Sequence, residues 1–239
     1  SAFGFQALNG NTTGEGNTGL GRKTLFTNST GGQNTAVGQG ALLANTTASE
    51  NVAVGYDSLV ANTTGTDNVA VGYHALKSNT TAGNNTAVGA NALDASTTSS
   101  SNTAVGSQAA TSLTTGDGVL ALGTSAAESM TTGAANAVAG FQAGQYLTTG
   151  SNNTAFGKQA LQSVSTGSSA ANNTALGSEA LKVNTTGSEN VAVGQAALDA
   201  NTTGASNTAL GRASLSANTT ANGNTGVGES ALRFNTTGE

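Results

Sequence analysis

The chain has 239 residues, a net charge of −5, 8% charged and 4% aromatic side chains, and no Cys, Pro or Trp. That composition excludes a disulfide framework and a wide globular core of large side chains. Seven scattered Lys and Arg exclude the basic face of a nucleic-acid binder, and no apolar run approaches the ~20 residues of a membrane helix.

Low complexity raises disorder as an alternative. Disordered segments, however, are highly charged and poor in β-branched residues, whereas here Val, Thr, Ala and Leu recur at fixed positions. The Gly of "AVG" falls at Gly4, Gly21, Gly38, Gly55, Gly72, Gly89, Gly106, Gly123, Gly140, Gly157, Gly177, Gly194, Gly211 and Gly228. The step is 17 residues, except one of 20 between Gly157 and Gly177. The chain is therefore fourteen copies of N-T-A-V-G-x-x-A-L-x-x-N-T-T-G-x-x, numbered here 1 to 17 from the leading Asn. No copy holds enough apolar bulk to fold alone, so the copies must stack. The predicted fold is all-β: a parallel β-solenoid, or β-roll, of fourteen coils forming one segment over 1–239, with three residues inserted near 164–173.

Within each coil, the stretch before the Gly reads as a strand. Position 3 is small except at Val138, and position 4 is mostly large and apolar (Phe3, Leu20, Val37, Val54, Phe156, Leu176). Positions 2 and 4 share a face by period-two alternation. We expect the position 4 side chain, the Leu of position 9, small Ala residues and the Asn of position 12 to form the core. The Gly permits a turn that a Cβ would obstruct. The "xxALxxN" stretch predicts a bend or a short helical turn, and "NTTG" a second corner.

Three consecutive copies carry a volume swap. Position 9 shrinks from Leu to Ala110, Ala127 and Gly144, while position 12 grows from Asn to Leu113, Met130 and Leu147. Compensation of this kind is what a close-packed interior demands, so positions 9 and 12 share one cavity and the Asn side chains point inward. Buried amides need partners, which predicts an Asn ladder through the first five copies that resumes at Asn184, Asn201, Asn218 and Asn235. The Thr at position 14, from Thr13 to Thr237, recurs in every copy counted forward from its Gly, which fits a stacked hydroxyl and methyl column.

The phrases "NTAVGxxAL" and "NTTGxxNTAVG" resemble repeats of bacteriophage tail fibres and bacterial surface proteins, which often precede an endosialidase-type intramolecular chaperone domain. More distantly, "AVG" is similar to the "AIG" head repeat of trimeric autotransporter adhesins, which are parallel β-rolls joined as trimers. The adhesin coil is shorter than 17 residues, so its detailed geometry need not transfer. The resemblance covers the whole chain. It implies a fibre or shaft segment at a cell surface or on a virion, self-associating as a homotrimer or a head-to-tail filament, with cell-surface glycans as candidate partners. Neither end carries a polar cap, which predicts a piece of a longer structure.

No catalytic, cofactor-binding or metal site is predicted, and no enzyme. His74 is the only His and sits at a variable position beside Tyr73, as a solvated side chain does. Asp57, Glu128 and Glu179 are scattered, with no glycosidase-like pair. Asp67, Asp94 and Asp117 do not form a calcium repeat, and "GTSAAES" lacks the Lys of a phosphate loop. The position 6 aromatics Phe5, Tyr56, Tyr73 and Phe141 form either an intersubunit seam or a glycan-stacking strip. Twelve Asn-x-Ser/Thr sequons occur, nine at the corner and three at Asn84, Asn152 and Asn172; the corner set is expected because the repeat itself needs Asn there. Two further readings stay open: a self-assembling extracellular filament, and a binding module for glycans or for ice, in which one of the two Thr ranks of "NTT" faces outward.

Overall fold

The computed structural model describes residues 1–164 and 167–237; expectations that touch Ser165, Thr166, Gly238 or Glu239 lie outside the described residues. The chain forms two compact units, Ser1–Gly118 and Val119–Glu239. Each is a parallel β-solenoid. The first holds β1 (Ala2–Phe3), β2 (Thr18–Leu20), β3 (Thr35–Val37), β4 (Val52–Val54), β5 (Val69–Val71), β6 (Thr86–Val88) and β7 (Thr103–Val105). The second holds β8 (Leu120–Leu122), β9 (Ala137–Ala139), β10 (Thr154–Phe156), β11 (Thr174–Leu176), β12 (Val191–Val193), β13 (Thr208–Leu210) and β14 (Thr225–Val227). Within each unit the strands pair in chain order, one repeat apart, as in Ala36↔Ala53 and Ala192↔Ala209. The three inserted residues do not disturb this register, because Thr154 still pairs with Thr174.

The strands correct one expectation. Position 3 points inward: Ala36, Ala53, Ala70, Ala155 and Ala192 are fully buried. Positions 2 and 4 point outward, so the valines expected in the core cover the outer sheet face instead. The inner side already holds Leu of position 9 and Ala of position 8, both buried, leaving room for little more than a methyl group. Val138 shows why the exception occurs where it does. It is buried at position 3, and a Cβ on Gly144 would lie 3.1 Å from its Cγ1. The valine fills space that leucine vacates at position 9.

The "xxALxxN" stretch is a bend, and no helix is present among the described residues. Position 9 is left-handed: φ is 48° at Leu25, 49° at Leu59 and 50° at Leu76. Position 7 is left-handed as well, at 50° for Asp57 and 56° for His74. A right-handed turn cannot contain such residues. Their N–H groups point alternately up and down the stack. Asp57 donates to Gln39 of the preceding coil at 3.0 Å, and Leu59 to Ala75 of the following coil at 3.0 Å. The coil-to-coil ladder thus continues beyond the strands, which is what the bend gains by abandoning helical geometry. The marker Gly opens it. Gly55 has φ 139°, and a Cβ there would sit 2.6 Å from the carbonyl carbon of Gly72.

The predicted Asn ladder is present. Asn62 Nδ2 donates to Asn45 Oδ1 at 3.1 Å and to Gly65 O at 2.9 Å, and Asn79 Nδ2 donates to Asn62 Oδ1 at 2.8 Å. It stops at Ser96, whose hydroxyl bonds Ser99 at 2.7 Å instead, leaving Asn79 Oδ1 unpartnered. In the second unit it runs through Asn184, Asn201 and Asn218. Asn235 leaves it and donates to Asn224 Oδ1. Leu113 beside Ala110, and Met130 beside Ala127, are fully buried, as the volume swap requires.

Sequence reasoning missed a second ladder at position 1. Asn68 N–H donates to Asn51 Oδ1 at 3.0 Å, and Asn51 Nδ2 donates to Gly65 O at 2.9 Å. Gly65 O therefore accepts from Asn62 and from Asn51, tying the start of a coil to its end. The signal was visible: Asn fills position 1 in twelve copies.

Candidate functional surfaces

Three outward columns distinguish themselves. The corner carries two Thr ranks with different fates. At position 13 the hydroxyl donates to the next coil's carbonyl, as from Thr46 to Thr63 O at 3.0 Å and from Thr63 to Thr80 O at 3.0 Å. This rank is structural. At position 14 every side chain from Thr13 to Thr115 in the first unit is exposed, and in the second so are Thr132, Thr149, Thr186, Thr203, Thr220 and Thr237. No position 14 hydroxyl bonds to protein among the described residues. Outside the coil that carries the insertion, the column carries Thr in every coil described and faces water, so burial does not explain it. In the coil that carries the insertion, Ser168 occupies position 13, since it accepts from Thr148 at 2.8 Å. Ser169 therefore takes position 14; Thr166, to which sequence counting assigns that position, lies outside the described residues.

The outer sheet face of each unit is uncharged in its strands and largely apolar. Phe3, Leu20 and Val105 are exposed in the first unit, and Phe156, Leu176, Val191, Leu210 and Val227 in the second.

The third column contains an aromatic cluster that the coil spacing brings together. Tyr56 and Tyr73, at position 6 of adjacent coils, stack at 5.6 Å with an interplanar angle of 15°. His74 stacks on Tyr73 at 3.8 Å. Both tyrosines are about half exposed.

Glu50 and Asp67 meet across adjacent coils, and the hydrogen bond that a protonated Glu50 donates to Asp67, then the Asp67 charge, raises the Glu50 carboxyl above its ordinary value. Asp199 is raised chiefly by burial, with the charge of Glu179 adding to it. Glu179 pairs with Lys182 at 3.5 Å. Among the described residues no group of three metal-ligating side chains forms. No protein-family model and no curated protein sequence matches the chain.

Proposed function

We propose that this chain is a structural segment of an extracellular fibre, the shaft of a phage tail fibre or surface adhesin, with mechanical and not catalytic work. The observation that carries the reading is how the polar groups of each coil are used. Backbone N–H groups at positions 7 and 9, both Asn ladders and the position 13 hydroxyls all bond the neighbouring coil. Such nearest-neighbour bonding distributes load along a stack without needing a wide core. The apolar outer sheet face supports self-association, since a thin solenoid gains most by covering it. Light scattering with electron microscopy tests this. Oligomers or filaments are expected, and Val54→Lys with Val71→Lys on the first unit's outer face should lower the assembly order. A protein that stays monomeric at high concentration overturns the self-associating fibre.

The position 14 column supports a second reading, a binding surface for ordered water or a polyhydroxylated glycan. Its hydroxyls repeat at the coil spacing of ~4.8 Å and, among the described residues, bond to no protein group. Thermal hysteresis and glycan-array binding test it, and silence in both removes it.

A further inference from the structure

We infer that the folded chain accepts N-linked sugar at Asn84, Asn152 and Asn172, and that sugar on the buried corner sequons, Asn28, Asn45, Asn62, Asn79, Asn184, Asn201 and Asn218, is incompatible with the fold. The twelve sequons look alike in sequence, but the structure divides them by which way the amide points. At the corner, Asn at position 12 faces inward while its sequon Thr at position 14 faces water. Asn28, Asn45, Asn62, Asn79, Asn184 and Asn201 are fully buried. In Asn28, Asn45, Asn62, Asn79 and Asn201 both amide protons are engaged. Asn79 Nδ2 donates to Asn62 Oδ1 at 2.8 Å and to Ala82 O at 3.0 Å; Asn201 Nδ2 donates to Asn184 Oδ1 at 3.0 Å and to Gly204 O at 2.9 Å.

Glycosylation breaks one Nδ2–H bond, forms a bond from Nδ2 to the sugar's C1, and releases the nucleotide of an activated sugar together with a proton. At the corner this removes a ladder donor and places a hexose where no solvent reaches. Position 17 is the opposite case. Asn84, Asn152 and Asn172 are exposed, and their side chains make no hydrogen bond among the described residues. Their backbone N–H groups are held by Thr66, Ala134 and Ser151. The next residue, at position 1, turns inward into the second ladder (Asn85, Asn153, Asn173), so the sequon Thr two places on (Thr86, Thr154, Thr174) faces outward again. Amide and hydroxyl stand on the same side, the arrangement a transferase reads.

The test uses the full chain, UDP-glucose and a soluble N-glycosyltransferase that recognises Asn-x-Ser/Thr, with peptide mapping by mass spectrometry. On folded protein, hexose is expected at Asn84, Asn152 and Asn172 and at none of the buried corner residues. On heat-unfolded chain, corner sites are expected to react as well, and chains so modified should not recover the melting transition of the untreated protein. Hexose on Asn45 or Asn62 of folded protein, with an unchanged melt, overturns the inference. So does a folded chain whose position 17 sites stay bare while the same sites react in the unfolded chain.

Discussion

Replacing Asn62 with Asp changes one amide nitrogen to oxygen and tests the inward ladder directly. In the native coil, Asn62 Nδ2 supplies Asn45 Oδ1 and Gly65 O, while Asn62 Oδ1 accepts from Asn79. An ionised carboxylate at that position keeps only the last bond. Asn45 Oδ1 loses its donor, which costs ~1–3 kcal/mol for an unsatisfied buried acceptor. Gly65 O loses one of two donors, since Asn51 still reaches it at 2.9 Å. The new carboxylate faces both oxygens in a fully buried site, and an uncompensated buried charge costs ~3–5 kcal/mol. We expect destabilisation of about 4 kcal/mol at pH 7. Burial raises the carboxyl's folded pKa above its unfolded value. The folded state therefore binds the proton more tightly, and the penalty shrinks as pH falls through the folded pKa. Urea titration at pH 7 and pH 4 reads this, with amide exchange following the coils beside Asn62. Asn84→Asp, on an exposed side chain, serves as the control and should stay within ~0.5 kcal/mol. A pH-independent change of that small size at Asn62 refutes the ladder.

Gly55→Ala should destabilise by about 3 kcal/mol, measured by thermal or urea melting, because the left-handed φ and the Gly72 carbonyl both oppose a Cβ. Gly65→Ala should destabilise as well, because a Cβ there would crowd the Ala82 carbonyl oxygen and the Asn62 amide oxygen; an unchanged melt would mean that the corner relaxes there as it does around Ala48 and Ala82. Leu113→Asn should cost ~2–4 kcal/mol, and adding Ala110→Leu should restore much of it; additivity in that double-mutant cycle would sink the shared cavity. Asp199→Asn should raise the melting temperature at pH 7, because burial holds the Asp199 carboxyl above its ordinary value. The cost of its charge is present above the folded pKa and absent below the unfolded one, so the gain should fade on acidification; a gain that grows towards acid contradicts this.

Much of the fold was legible because the repeat prints each position thirteen or fourteen times. The 17-residue period specified coil stacking, and the exchange of Leu for Ala110 against Asn for Leu113 located the cavity. Two features were not legible. Alternation in "TAV" assigns positions 2 and 4 to one face but does not say which face is inside. That choice follows from how little space remains beside the buried leucines, a property of the closed coil. The left-handed Leu of position 9 was hidden for a different reason. Single-residue propensity disfavours it by ~1–2 kcal/mol, and only the hydrogen bond from each such residue to the next coil, as from Leu76 to Ala92 at 3.0 Å, offsets that strain. On the surface, sequence counting made the position 14 column constant but did not say whether constancy meant packing or exposure.

That column separates the two functional readings. A constant outward Thr has two physical explanations. Either the corner backbone needs a β-branched residue, or something outside the protein needs the hydroxyl. Ser169 bears on the choice: in the coil disturbed by the insertion, position 14 gives up the branch and keeps the hydroxyl. Val is the discriminating replacement, since it keeps the branch and the volume and deletes only the oxygen. Thr47, Thr64 and Thr81, all exposed and without a protein partner, changed together to Val should leave stability within ~0.5 kcal/mol per site. If the column binds ordered water or glycan, the triple variant should lose thermal hysteresis or glycan retention at unchanged melting temperature. If the chain is only a shaft, the variant should match the parent in assembly, melting and every binding assay. A large loss of stability would refute both halves of this reasoning, because it would place the hydroxyl among the groups that hold the coil together.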